Sequence, residues 1–213
     1  MAQIPTRNIS QFKSKMIGSG ARPNLFEVDV TFPTGVNLAV QGDGTGQFDK
    51  ENFRFLCKAA ALPASTITPI PVPFRGRTLK VAGDRTFDVW TVTIINDEDF
   101  RLRHAFESWM NLLSKLDNAT GATNPSSYMT DAFVYQLGRG AGTRFSERNV
   151  ESDNGTAITP LRTYKFYDIF PTNVGEIALS YDNTDDIEEF TVDFQVQYWT
   201  AGESGDATQT IIS

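Results

Sequence analysis

The chain is short of the residues that carry most enzyme chemistry. It has one cysteine, Cys57, and one histidine, His104, among 213 residues. A lone cysteine excludes an intrachain disulfide and a cysteine-based metal site. A single imidazole excludes most Ser-His-acid and Cys-His arrangements unless His104 itself is the base. His104 follows Arg101-Leu102-Arg103, off the apolar stripe of a helical segment, and reads as a surface residue. Basic charge is also scarce: 19 Lys and Arg against 26 Asp and Glu leave a net charge of −7. That balance lacks the basic footprint of a nucleic-acid binder.

Other signals are missing as well. Met1-Ala2-Gln3-Ile4-Pro5 has no basic stretch leading into an apolar one, so no secretory signal is expected and the chain is expected to be made in a cytoplasm-like compartment. No apolar run approaches the roughly 20 residues that cross a bilayer. Gly42-Asp43-Gly44-Thr45-Gly46 lacks the Gly-Lys-Ser/Thr ending of a phosphate-binding loop and the acidic spacing of a calcium loop. Acids fall mostly in turns and on alternate strand faces, so no carboxylate pair stands out for glycoside hydrolysis. No enzyme activity, cofactor or metal is expected.

What the chain does have is phenylalanine: 16 Phe within an aromatic fraction of 12%. Flat rings pack well on half-buried pleated faces, which favours strands. Phe26, Val28, Val30 and Phe32 alternate with Glu27, Asp29 and Thr31, the period of a half-buried strand ended by Pro33. The last strand is the clearest, with Phe190, Val192, Phe194, Val196 and Tyr198 inward and Thr191, Asp193, Gln195 and Gln197 outward. Further strands are expected over 53–58, 78–82, 87–95, 133–137, 163–170 and 177–181. Pro171-Thr172-Asn173 reads as the turn between the last two, and Gly83-Asp84-Arg85 as a turn before Phe87. Cys57 lies in the apolar run at 53–58 and reads as a buried, inert thiol. Prolines 63, 69, 71 and 73 make 62–74 an extended edge segment.

One helix is expected over about 97–116. Asn96-Asp97-Glu98-Asp99 supplies a cap and acids at the positive end of the helix dipole. Leu102, Ala105, Phe106, Trp109, Leu112, Leu113 and Leu116 recur at helical spacing, with Phe106, Trp109 and Leu113 expected to pack it down. The fold class is therefore mainly β: a β-sandwich or barrel of about eight strands with one packed helix. Residues 1–23 read as a polar arm that needs a partner surface, 24–199 as one domain, and 200–213 as a loose tail. Within the domain, 33–50 is a Gly-rich loop and 138–160 a long insertion.

Three segments together resemble the tail-tube family of T4-like contractile phages. They are Arg22-Pro23-Asn24-Leu25-Phe26-Glu27-Val28; the stretch from Leu62-Pro63 through Ile70-Pro71-Val72-Pro73-Phe74-Arg75-Gly76-Arg77 to Phe106-Glu107-Ser108-Trp109; and Tyr167-Asp168-Ile169-Phe170-Pro171 with the strand 190–198. The resemblance implies six-subunit rings of this chain, stacked inside a tail sheath in the virion and assembled in the bacterial host cytoplasm. It also implies baseplate tube proteins and a length-setting protein as partners, with DNA passing through the lumen unbound. Glu27, Asp29, Asp193 and Gln195 become candidate lumen lining, since an acidic wall would keep DNA from sticking. Ile4, Ile9, Phe12, Met16, Gly42, Gly44, Phe48, Pro71 and Pro73 become candidate contacts between subunits and rings. The same fold in an injection particle, a type VI secretion tube or a baseplate tube initiator is the near alternative. A monomeric glycan-binding β-sandwich is the alternative of another class.

Overall fold

The computed structural model describes residues 8–16, 20–36, 50–138, 160–182 and 186–203. Among them, in chain order, are α1 (Ile9–Lys15), β1 (Phe26–Val30), α2 (Lys50–Leu56), β2 (Cys57–Ala60), β3 (Ser65–Phe74), β4 (Arg77–Phe87), β5 (Trp90–Ile95), α3 (Arg101–Leu113), β6 (Thr130–Gln136), β7 (Arg162–Val174), β8 (Glu189–Gln195) and β9 (Tyr198–Glu203). One sheet has the order β1-β6-β7-β8-β5-β2, with β9 paired to β7. A separate two-stranded sheet joins β3 and β4. The fold is mainly β, as the alternating patterns require.

The described chain divides into two compact units, one of 28–133 with 165–200 and one of 1–27, 134–164 and 201–213. In the first, β5 and β8 set the core. They pair antiparallel, with Trp90 opposite Phe194, Val92 opposite Val192 and Ile94 opposite Phe190. All six are buried, while Thr91 and Thr191 between them are exposed. Alternation thus commits one face to the core and leaves the other polar.

Helix α3 covers the apolar face. Leu102, Ala105, Phe106 and Trp109 are fully buried. The Phe106 ring lies 5.9 Å from Phe194, 5.3 Å from Phe32 and 6.1 Å from Phe53. Trp109 meets Phe194 at 6.1 Å and donates its indole N–H to the Tyr128 carbonyl at 2.9 Å, so its polar tip is satisfied inside the core. The helix is shorter than the expected 97–116. Asp97 Oδ1 accepts the Arg101 amide at 3.1 Å, but Phe100 between them takes a left-handed φ of 55°, so regular helix starts at Arg101. Ser114 is extended and ends it, which leaves Leu112 and Leu113 half-buried and Leu116 exposed.

Several strand boundaries differ from the alternation. Residues 53–56 close a helix, and only Cys57 onward is strand. Phe53 and Cys57, four apart, are buried while Phe55 is exposed, which is a helical and not a strand period. Gly83-Asp84-Arg85 is no turn but the middle of β4. The register with β3 shifts between Ile67 and Pro69, and a Cβ at Gly83 would stand 2.4 Å from the Thr68 carbonyl oxygen. Glycine there permits a bulge. Residues 88–89 separate β4 from β5, with Asp88 donating its amide to the Ala64 carbonyl at 3.1 Å.

Strand β7 runs straight through Pro171, which lies opposite Phe194 beside a second register shift. A bulge absorbs the missing proline donor, so no turn forms. Another irregularity at Asp168, φ 52°, resets the alternation and lets both Phe166 and Ile169 face inward. Residues 177–181 form no strand, and Leu179 and Tyr181 are exposed. β8 stops at Gln195; Tyr198 opens β9, where its ring stacks on Tyr167 at 4.5 Å. The expected loose tail from Thr200 therefore begins within a strand that continues to Glu203.

In the second unit, Leu25 and Gln136 hold the strand ends. Gln136 Nε2 donates to the Arg22 and Leu25 carbonyls at 2.8 and 2.7 Å, and the Leu137 amide donates to Leu25 at 2.9 Å. The expected arm contains α1, started by a capping box in which Asn8 Oδ1 accepts the Gln11 amide at 2.9 Å. None of its residues is buried, and Ile9, Phe12 and Met16 are exposed. Expected positions Ile4, Gly42, Gly44 and Phe48 lie outside the described residues.

Candidate assembly interface

The face of the main sheet turned away from α3 carries the polar half of the β8 alternation and, on β6, Asp131 with the rings of Phe133 and Tyr135. Asp193, opposite Thr91 in β5 and Asn173 in β7, is engaged by both neighbours. The Thr91 hydroxyl donates to Asp193 Oδ1 at 2.6 Å and Asn173 Nδ2 donates to Oδ2 at 3.1 Å. Thr172 adds a bond from its hydroxyl to the Asp193 carbonyl at 3.1 Å. Gln195, one pair further along β8, is half-buried.

Three other acids of this face, Asp29, Asp131 and Glu189, are ion-paired. Arg54 Nη2 meets Asp29 Oδ2 at 2.7 Å, and Lys165 Nζ meets Asp131 Oδ2 at 2.8 Å. Lys58 pairs with Glu189. Lys165 also sits 4.1 Å from the Tyr167 ring and 5.6 Å from Phe133. Partial burial alone lowers the Lys165 pKa, but the hydrogen bond and charge of Asp131, helped by Tyr167, leave it above the ordinary lysine value. Asp29 and Asp193 are not brought together: β6 and β7 stand between their strands, a spacing of roughly 14 Å at ~4.8 Å per strand. Glu27 shares the Asp29 side of β1 and is half-buried.

The sequence reading of an acidic wall missed the cations. Arg54, Lys58 and Lys165 lie 25, 131 and 34 positions from their partners, so only the fold reveals the pairing. For Lys165 alternation gave a signal, because it shares a face with Tyr167 and not with buried Phe166.

The β3–β4 hairpin is the second candidate surface. It ends in a two-residue turn, Arg75 at φ 43° and Gly76 at φ 80°, the positive-φ pair that matches strand twist. Nearly every residue is exposed, including Pro71 and Pro73, along with Ile70, Val72, Phe74, Leu79 and Val81. A soluble monomer rarely leaves such a run bare.

The remaining chemistry is quiet. Cys57 is buried, and burial pushes its thiol from 9.0 up to about 12, so a reactive thiolate is disfavoured. His104 is half-buried and not a surface residue, because its helix face turns partly inward; its Nε2 meets no hydrogen-bond partner among the described residues. Among the described residues no three His, Cys, Asp or Glu side chains gather as metal ligands, and no helix is long and apolar enough to cross a membrane.

The described residues thus form a mainly β fold with helix α3 packed on the main sheet and a bare β-hairpin. The fold is similar to the sheath/tube terminator of an extracellular contractile injection system, with TM-score 0.53 at 12% identity over 86% of this chain and 96% of that one. It is also similar to the tube-terminating cap of the anti-feeding prophage, with TM-score 0.52 at 12% identity over 95% and 96%. In sequence, 182 residues are 36% identical to the tail tube protein gp19 of Enterobacteria phage T4, covering 85% of this chain and 92% of that protein. The tail tube protein of Serratia phage KSP90 is 23% identical over 88% and 93%. Residues 21–202 match the phage tail tube protein family, and the chain belongs to it. It is a structural subunit of a phage tail tube.

Proposed function

We propose that six copies close into a ring, that rings stack inside a contractile sheath, and that the face of β5 and β8 turned away from α3 lines the lumen. The chain acts by assembly and not by catalysis. The observation that carries this reading is the state of the acids on that face. Asp193 is held by Thr91 and Asn173, Asp131 by Lys165, and Asp29 by Arg54. Cations already bound to carboxylates do not clamp phosphates, and the net charge of −7 gives no attraction for DNA. Such a wall lets DNA slide past without specific binding. Gln195 belongs to the same lining, and Glu27 is a separate lining candidate.

Contacts between copies fall to the exposed apolar residues. Ile9 and Phe12 of α1, Met16 just after it, and the hairpin with Pro71 and Pro73 are the surfaces that need a neighbour. Head-to-tail contacts of this kind build an open fibre, as a tube requires. The sheath, the baseplate tube proteins and a length-setting protein in the lumen complete the set of partners. Cryo-electron microscopy of assembled tubes tests the arrangement: Thr191 and Asp193 are expected on the lumen surface with α3 outside, and the reverse placement overturns it.

A further inference from the structure

The loop that follows α3 holds one leucine out in solvent. Leu116 is 98% exposed, although its spacing from Leu112 and Leu113 would keep it on the apolar stripe of a longer helix. Ser114 is extended and ends the helix before that can happen. The loop itself is closely fixed. The Lys115 amide donates to the Thr120 carbonyl at 2.8 Å and the Ala119 amide to the Lys115 carbonyl at 2.9 Å. The Leu116 amide donates to Asn111 Oδ1 at 3.3 Å, and Asn118 Oδ1 accepts the Thr120 amide and hydroxyl at 3.0 and 2.6 Å. The Ala122 amide then brings the chain back to the Leu112 carbonyl at 3.0 Å.

Two backbone features hold this shape. Ala119 takes a left-handed φ of 55°, which costs any residue with a Cβ. A Cβ at Gly121 would stand 1.9 Å from the Leu113 carbonyl oxygen, so only glycine lets the loop close on the helix end. A leucine already fixed in place loses little conformational freedom when a partner covers it. Its neighbours Asn111, Lys115, Asp117 and Asn118 are polar and exposed. An apolar centre within a polar rim is the layout of an interface anchor.

Burying one leucine favours a complex by only roughly ten- to a hundredfold. That is far less than joins two subunits through a patch of roughly 800 Å² on each. Repeated on every copy, it suits a partner that is itself repeated along the tube and engages many copies at once. The loop continues from α3, which covers the sheet face opposite the proposed lumen face. We infer that Leu116 is the anchor by which the surrounding sheath protein, through an apolar socket, holds the outside of the tube. This rests on the tube reading above, with α3 outside.

Sheath binding to preformed tubes tests it. Tubes of the full chain are mixed with the sheath protein of the same phage, and the bound sheath is read by sedimentation and negative-stain electron microscopy. Leu116→Ser changes a side chain that buries almost nothing within its own chain, so its tubes are expected to form as the wild type does. Half-coverage of those tubes is expected to need about tenfold more sheath protein or beyond. Leu116→Met, still apolar, is expected to stay near the wild-type concentration. Leu116→Ser tubes that take up sheath like the wild type, or a Leu116→Ser chain that no longer forms tubes, overturn the anchor inference alone. Wild-type tubes that take up no sheath protein, or a wild-type chain that never associates, overturn the tube reading and this inference with it.

Discussion

Arg54 Nη2 lies 2.7 Å from Asp29 Oδ2, tying α2 to β1 across 25 positions of sequence with side chains only 28% and 18% exposed. On an open acidic wall a lysine at position 29 would be tolerated; beside Arg54 it puts two cations in a half-buried site. Asp29→Lys is expected to lower stability by about 1–3 kcal/mol, and Asp29→Asn by less. Urea denaturation measures both, and an unchanged midpoint for the lysine variant contradicts the pairing.

Trp109 joins the helix to the sheet through Phe194 and to the following loop through the Tyr128 carbonyl. Trp109→Ala removes a fully buried ring and a satisfied donor together. The expected loss is about 3–5 kcal/mol in chemical denaturation. A loss well under 1 kcal/mol would mean that α3 does not cap the core.

Cys57 gives stability a pH dependence. The unfolded thiol releases its proton from 9.0 upward, whereas the folded one keeps it to about 12. Between those values the folded state holds more protons, so this contribution is complete below pH 9 and is lost as pH rises toward 12. Thermal unfolding across that window is expected to show a steeper decline for the wild type than for Cys57→Ala. Equal slopes contradict the burial of the thiol.

Helix α1 buries nothing of its own; its apolar residues Ile9 and Phe12, and Met16 that follows it, are exposed. Deleting residues 1–20 is expected to leave the unfolding transition of the remaining chain in place and to abolish tube elongation. Long tubes from the truncated chain would remove the arm from ring contacts.

Strict alternation made β1, β5 and β8 legible, and the stripe through Leu102, Phe106 and Trp109 made α3 legible, because each pattern matches one burial geometry. Positions where the backbone departs from regularity were not legible. The bulges at Gly83 and Pro171 look like turns in sequence, since the residues that permit a turn also permit a bulge. α2 was misread because Phe53, Phe55 and Cys57 fit period two until the exposure of Phe55 breaks it. The candidate lining was half legible: alternation named Asp29 and Asp193, but long-range pairing with Arg54, Thr91 and Asn173 is set only by strand order.

As a tail tube subunit this chain is expected to build a hollow tube from copies of itself. Negative-stain electron microscopy of the purified full chain, with its mass in solution from light scattering, tests it most directly. Six-fold rings with a central hole, or tubes made of them, are expected. Particles that remain monomeric at every concentration would contradict it.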